Sequence, residues 1–282
     1  MSLQPFAQND FAKNVFSNYR KWWGKYANLF IGQEIGKDKL PLVQREFAKD
    51  LPKRKEIDYP LEAIPYIEIT PLYRRIAKDG ILFVNCNPSG TDYDYYLSVY
   101  SGTPIDCIYY NNPKNDYFKE IEKFVDNVER YANKGVHVGN NYAMIDVFPL
   151  VIQEQNILKK AFIGAFKKDP LNLKQAFMAL LEEFCKNIVE IKPRVIVVTN
   201  AFVKDLFIGF DEKRKYTLRW LNYLDDFHEV ENKVCYTFKI SGFETTLFCG
   251  GMIAGGYRMD TESRKRLERD VMLHLSHGSI QY

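Results

Sequence analysis

Short, continuously apolar runs alternate along this chain with longer stretches in which apolar residues recur every three or four positions. The runs ILFVNC (81–86), YAMIDV (142–147) and RVIVVT (194–199) have the length and composition of buried strands. Between them, residues 117–131 place Phe118, Ile121, Val125 and Val128 on one helical side. Residues 173–191 do the same with Phe177, Leu180, Leu181, Phe184 and Ile188, and Pro193 stops that helix. Residues 10–30 carry a third stripe (Phe11, Val15, Tyr19, Trp22, Tyr26, Phe30), which predicts an amphipathic helix laid over the rest. Residues 37–75 are charged and punctuated by proline, with a short helix expected at 71–76 and closed by Asp79-Gly80. Two more runs, 234–240 and 245–249, flank Ser241-Gly242 and predict a hairpin. A last helix is expected over 261–275, with Asp260 as its N-cap and Gly278 beyond its end.

Buried strands separated by amphipathic helices predict a parallel sheet covered on both faces. The expected fold is therefore α/β: a three-layer sandwich with a short, mainly parallel central sheet over residues 78–282, and a helical extension over 1–77 packed on it. Sheets of this kind bind ligands outside the carboxyl ends of their strands. Three such ends follow from the pattern, at residues 85–90, 146–149 and 249–256.

Composition narrows the classes without choosing among them. The 282 residues are 46% hydrophobic and 27% charged, the mix of an ordinary globular protein. A net charge of +3 neither requires nor excludes a polyanionic partner. Nineteen tyrosines and twenty phenylalanines fill cores, and tyrosine also offers flat faces on which a base can stack. Five cysteines without paired spacing indicate neither a disulfide framework nor a zinc site, and fit reduced thiols in the cytoplasm. No signal peptide, membrane span, metal or cofactor is expected, and a monomer is favoured.

The strand ends carry the chemistry. At the first, Pro88 fixes its own φ and holds Asn87 extended, while Ser89 and Gly90 leave backbone N–H groups to face an anion or a carbonyl. The same four residues also make an ordinary strand-ending turn. At the second, Asp146 is a lone acid at the mouth of an apolar strand, where it must be solvated, paired or used as a cap.

Together these ends resemble the uracil-DNA glycosylase superfamily, closest to its mismatch-specific and single-strand-selective branches. Those branches carry Gly-x-Asn-Pro-Gly after the first core strand; here the residues are Asn85-Cys86-Asn87-Pro88-Ser89, with both glycines replaced. The resemblance implies that Asn87 positions the attacking water and that Tyr100, with Tyr96 behind it, stacks on an extruded base. Cys86 and Ser89 would offer backbone N–H groups to base carbonyls. On the second strand the single-strand-selective branch reads Asn-x-x-Pro-Leu, and this chain has Asp146-Val147-Phe148-Pro149-Leu150, so Asp146 takes the base-reading place. After the last strand the family carries His-Pro-Ser or Asn-Pro-Ser. Here CGGMIAGGYRMD stands instead, without histidine or proline. Gly251 permits close backbone approach, Met252 or Ile253 supplies an apolar wedge, and Arg258 and Arg264 are the candidates for phosphate. A solvated helix face accounts for the same charges without a ligand.

The implied activity is hydrolysis of the N-glycosidic bond of a deaminated or damaged base in single- or double-stranded DNA. The alternative is a glycosylase-like protein that binds nucleic acid or a nucleotide without cleaving it. The family's histidine donates to the departing base, and loss of one such donor costs about 3 kcal/mol. Asp146 sharpens the specificity question, because an ionised carboxylate accepts hydrogen bonds and donates none. Either the base presents donors, as an exocyclic amine does, or Asp146 is protonated. An unrelated α/β hydrolase using Cys86 or Ser89 as nucleophile would need a nearby base, and none of His137, His228, His274 or His277 forms a recognisable triad motif.

Overall fold

The computed structural model describes residues 80–86, 116–132, 141–150, 155–169, 172–230, 235–253 and 259–276, together with 18, 21, 22, 25, 26, 29, 34, 35, 40 and 41. Six strands form one sheet: β1 (Ile81–Asn85), β2 (Tyr142–Asp146), β3 (Val195–Val198), β4 (Asp225–Glu229), β5 (Cys235–Ile240) and β6 (Phe243–Cys249). Their spatial order is β2-β1-β3-β6-β5-β4. The first four in that order are parallel, and β5 and β4 extend the sheet in antiparallel fashion. A separate antiparallel pair joins Glu34–Ile35 to Leu40–Pro41.

Among the described residues, five continuous helices cover the two faces: α1 (Asp116–Tyr131), α2 (Gln155–Lys167), α3 (Lys174–Ile191), α4 (Ala201–Ile208) and α5 (Thr261–Ser276). Strand alternation sorts the side chains between them. Ile81, Phe83, Tyr142, Met144, Val195 and Val197 pack with α1 and α5. Leu82, Val84, Ala143, Ile145, Ile196 and Val198 pack with α2, α3 and α4. The result is the α/β three-layer arrangement, with a mostly parallel central sheet.

Several local choices place the strands. Gly80 precedes β1 where a Cβ would meet the Asn141 carbonyl at 2.0 Å, so only glycine lets the chain pass the start of β2. That carbonyl accepts from Ile81 N at 3.2 Å, and Val195 N donates to Gly80 O at 3.1 Å, which aligns β1 with both neighbours. α3 ends as expected before Pro193, with Lys192 left-handed at φ 50° and its N–H on Ile188 O. Asp260 caps α5, its Oδ1 accepting from Ser263 N at 2.9 Å. Helical residues between Asn18 and Leu29 lie on α3: the Trp22 indole donates to Ala176 O at 2.9 Å, and Asn18 Nδ2 to Glu183 Oε1 at 2.7 Å.

The expected strands and the hairpin are present, with β6 two residues longer at its start than its apolar run. The sequence pattern did not announce α2, α4 or β4. α4 is eight residues long and opens directly from β3 at Asn200. β4 reads DDFHE, is mostly exposed, and bulges between Asp225 and His228 with Asp226 at φ 47°. Charge and a bulge are how an edge strand avoids pairing with another chain, and they also remove the apolar alternation by which it would be read. The short helix at 71–76 and Gly278 lie outside the described residues. Among the described residues no helix is long and apolar enough to cross a membrane.

Candidate functional site

The register sets the carboxyl ends of the parallel strands level. Asn85 is opposite Asp146, Val84 opposite Val198, and Val198 opposite Cys249. From β1 the chain moves outward to β2 and then crosses back to β3 on the other side. The crevice between these ends is the topological switch point, where sheets of this type receive ligands. Thus three strand ends singled out in the sequence do share one rim.

Asn85 continues the face of Ile81 and Phe83, and Asp146 that of Tyr142 and Met144. The amide and the carboxyl therefore stand side by side on the α1/α5 face of the sheet. The chain beyond them stays ladder-like: Val147 N donates to Asn85 O at 3.0 Å and Phe148 N to Cys86 O at 2.9 Å. Val147 and Phe148 are wholly buried. The Phe148 ring packs among Phe162, Phe177 and Phe202, with centroids 5.1 to 6.1 Å away. This aromatic cluster fills the α2/α3/α4 side of the strand end, across the sheet from Asn85 and Asp146. Asp146 itself is 5% exposed, and loss of hydration raises its carboxyl well above the usual aspartate range.

Cys86 projects to the opposite face, toward α2. Burial pushes its thiol far up, the Asp146 carboxylate adds to the rise, and the Gln155 hydrogen bond and the Lys159 charge oppose it. A nucleophilic thiol needs an electropositive, partly open setting; Cys86 is 2% exposed and held protonated. Gln155 opens α2 and links three elements. Its Oε1 accepts from Asn200 Nδ2 at 3.0 Å, while Asn200 Oδ1 caps α4 by accepting from Phe202 N at 2.9 Å and Val203 N at 3.1 Å. The Lys159 ammonium lies 5.4 Å from the Phe202 ring. The chain Asn200–Gln155–Cys86 thus ties the starts of α2 and α4 to the end of β1.

The third strand end is tightly built. Gly250 N donates to Val198 O at 2.9 Å, and a Cβ on Gly250 would come within 2.7 Å of Leu267 Cδ2. A Cβ on Gly251 would stand 3.2 Å from Met259 Cβ, and Met259 N donates to Met252 O at 2.8 Å, closing the base of the loop. Of the two apolar wedge candidates, Met252 is 44% exposed and Ile253 belongs to the core. Arg264 faces inward between α1 and α5: its Nε donates to Glu268 Oε1 at 2.8 Å, its Nη2 to Glu120 O at 3.0 Å, and its Nη1 to Glu120 Oε2. Three of its five N–H donors are used within the fold.

Among the sequence candidates, Cys86 and Asp146 lie at the ends of adjacent strands on opposite faces, and the Gly251–Met252 segment follows β6, three strands from Asp146 along the same edge of the sheet. Asn87, Ser89, Tyr96, Tyr100 and Arg258 lie outside the described residues. His228 sits on the far edge strand. His274 is at the amino end of the sheet, where Arg194 Nη2 donates to its carbonyl at 3.0 Å. His137 and His277 are outside the described residues. Asn85, Gln155, Lys159 and Asn200 were not singled out as site residues. Only Asn200 had a clear sequence signal, an asparagine between an apolar strand and a helix. Among the described residues no group of three or more His, Cys, Asp or Glu is placed to hold a metal ion. No protein-family model matches this chain, and no curated protein matches it.

Proposed function

We propose that this protein is a divergent DNA base glycosylase whose base pocket opens at the carboxyl ends of β1 and β2. The observation that carries the proposal is the pairing of Asn85 with Asp146 at one register position beside the switch point, with Asp146 buried there. A flipped-out base needs a pocket that excludes water and reads its hydrogen-bonding edge, and a buried carboxyl beside an amide supplies both. The Asn85–Ser89 motif continues from the same strand end, and its resemblance gives Asn87 the water-positioning role. In the reaction, water oxygen bonds to the sugar C1′ as the C1′–N bond breaks. The base leaves with the bonding electron pair and gains a proton that the water gives up. Products are the free base and an abasic sugar. The chain's contribution is to hold water, base and sugar in line and to solvate the departing charge with fixed dipoles.

The test is incubation with labelled single- and double-stranded oligonucleotides carrying uracil, hypoxanthine, xanthine or methylated bases, followed by alkaline cleavage of abasic sites. Base release that disappears in Asn87→Ala supports the proposal. Absence of release from every substrate sinks it.

A second reading, binding of a nucleotide or nucleic acid without hydrolysis, is favoured by the third strand end. Ile253 is in the core, Arg264 is held by Glu120 and Glu268, and the family's histidine is missing, so fewer groups reach toward a duplex. Salt-sensitive oligonucleotide binding without base release would select this reading.

A further inference from the structure

Resting on the base-pocket reading above, we infer that Thr199 is a further ligand-binding residue. Its hydroxyl takes the sugar end of the nucleotide whose base is read at Asp146. Thr199 directly follows β3. Its two chain neighbours both face α2 and α4: Val198 packs in that layer, and Asn200 caps α4 and donates to Gln155. The backbone at Asn200 is extended, so side chains alternate here and Thr199 faces the α1/α5 side. Continuing the register from Val84 opposite Val198 sets Thr199 beside Asn85, whose other neighbour is Asp146. Three adjacent strands thus end in one polar row of Asp146, Asn85 and Thr199. The next place, on β6, is Gly250, where a Cβ would meet Leu267 Cδ2 at 2.7 Å and Met259 Cε at 3.0 Å. Apolar side chains therefore close the row beyond Thr199.

The hydroxyl singles Thr199 out. The residue is 5% exposed, and among the described residues its Oγ1 has no hydrogen-bond partner. Buried hydroxyls are normally satisfied, and two others in this protein are. Thr217 Oγ1 donates to Gly209 O at 2.5 Å, and Thr245 Oγ1 to Pro193 O at 2.8 Å. Thr246 also lacks a partner, but it stands opposite Val195 at the amino end of β3, away from the rim. Position decides what the Thr199 hydroxyl meets. Two strand spacings, about 10 Å, separate Asp146 from Thr199. A base that turns its hydrogen-bonding edge to Asp146 carries its glycosidic nitrogen on the opposite side of the ring, toward β1 and β3. The atoms that follow, the sugar ring oxygen and the phosphate oxygens, accept hydrogen bonds, and a threonine hydroxyl donates one.

Thr199→Val and Thr199→Ser in the full chain test this. Binding is measured to single-stranded oligonucleotides carrying one non-cleavable 2′-fluoro nucleotide of uracil, hypoxanthine or xanthine, and to the same free bases. Thr199→Val should weaken binding of the preferred oligonucleotide about fivefold, the worth of one hydrogen bond, and leave the matching free base unchanged. Its Tm should equal or exceed that of wild type, because no internal hydrogen bond is lost. Thr199→Ser keeps the hydroxyl and should bind within about twofold of wild type. A lower Tm in Thr199→Val with unaltered binding gives the hydroxyl a purely structural role and overturns the inference. An equal loss for free base and oligonucleotide overturns it too, because the hydroxyl then meets the base. Either result leaves the base-pocket reading standing if wild type binds its probe. Absence of wild-type binding to every probe removes that reading and the inference together. Selective binding without base release, lost in Thr199→Val, supports the inference and removes only the hydrolytic step.

Discussion

Two carboxyl groups in this protein are buried in contrasting ways. Glu268, on α5, has a side chain only 1% exposed. Its oxygens accept from Arg264 Nε at 2.8 Å and from Asn127 Nδ2 at 3.1 Å, so its burial is balanced by donors brought from its own helix and from α1. Asp146, at the end of β2, is nearly as deep, but burial dominates its behaviour and drives it toward the protonated form. The first arrangement fastens two helices together. The second holds a carboxyl group at the strand end where the proposed base pocket lies. Equal depth thus goes with different outcomes: hydrogen bonds fasten Glu268, while loss of hydration is the largest influence on Asp146.

The comparison breaks first at Glu268. Glu268→Ala leaves Arg264 Nε and Asn127 Nδ2 without the acceptor they share, and removal of one partner from a buried pair costs about 3–5 kcal/mol. Urea unfolding of this variant should show a loss of that size, and a change below 1 kcal/mol would mean that the α1–α5 charges are not a fastening. The proposed excision, if the fold survives, should be unaffected.

The two regions also have opposite pH signatures. The Asp146 carboxyl is raised, so the folded state keeps its proton to higher pH than the unfolded chain does. Its stabilising contribution is full below the ordinary aspartate range and is lost as pH rises through the folded value. Asp146→Asn should therefore gain stability over wild type as pH increases across that window, read as a growing difference in Tm. Glu120 moves the other way: burial works to raise its carboxyl, but the hydrogen bonds from Lys123 and Arg264 win and hold it below the usual glutamate range. Its contribution is present above that range and is lost as pH falls through the depressed value. Glu120→Gln should consequently flatten the acid side of the stability curve while leaving the alkaline side alone. Identical curves for both variants would erase the distinction drawn between the regions.

Smaller effects sharpen the picture at the strand ends. Asn200→Ala removes the cap of α4 and the donor to Gln155, and should cost about 1 kcal/mol of stability. It should also loosen the end of β1, lowering the proposed excision rate by more than the stability loss explains. Asn200→Asp keeps the cap and loses the donor to Gln155, so it separates the two roles. Met252→Ala should change stability by less than about 0.5 kcal/mol, because the side chain is largely exposed. A matching loss of oligonucleotide affinity would place Met252 on the binding surface, and unchanged affinity would remove it.

The α/β character was legible because its cause is local. A run such as ILFV or VIVV cannot be left in water, and a stripe at helical spacing has to cover something, so strands and helices alternate on the page as they do in space. The N-cap Asp260 and the stop at Pro193 were legible for the same reason, since each acts within one turn of its own position. α2 was not read although Leu158, Ala161, Phe162 and Ala165 face the core, because Gly164 and a lysine-rich end blur its outline. β4 was hidden because an edge strand is selected against the apolar pattern that would reveal it. Asp146 was visible as an odd residue at a strand mouth, and its partners were not: Asn85 comes from 61 positions earlier (146 minus 85), and no local signal links them.

By itself, then, the sequence determined most of the core strands, the helices with a clear apolar stripe, and which strand ends carry polar groups, since those depend on the solubility and geometry of neighbouring side chains. Only the tertiary structure decided that β1 lies between β2 and β3, which brings Asn85 beside Asp146 and turns Arg264 inward to Glu268. It also decided that Asp146 is dry. Hydration is a property of what the rest of the chain leaves uncovered, and no single segment can encode it.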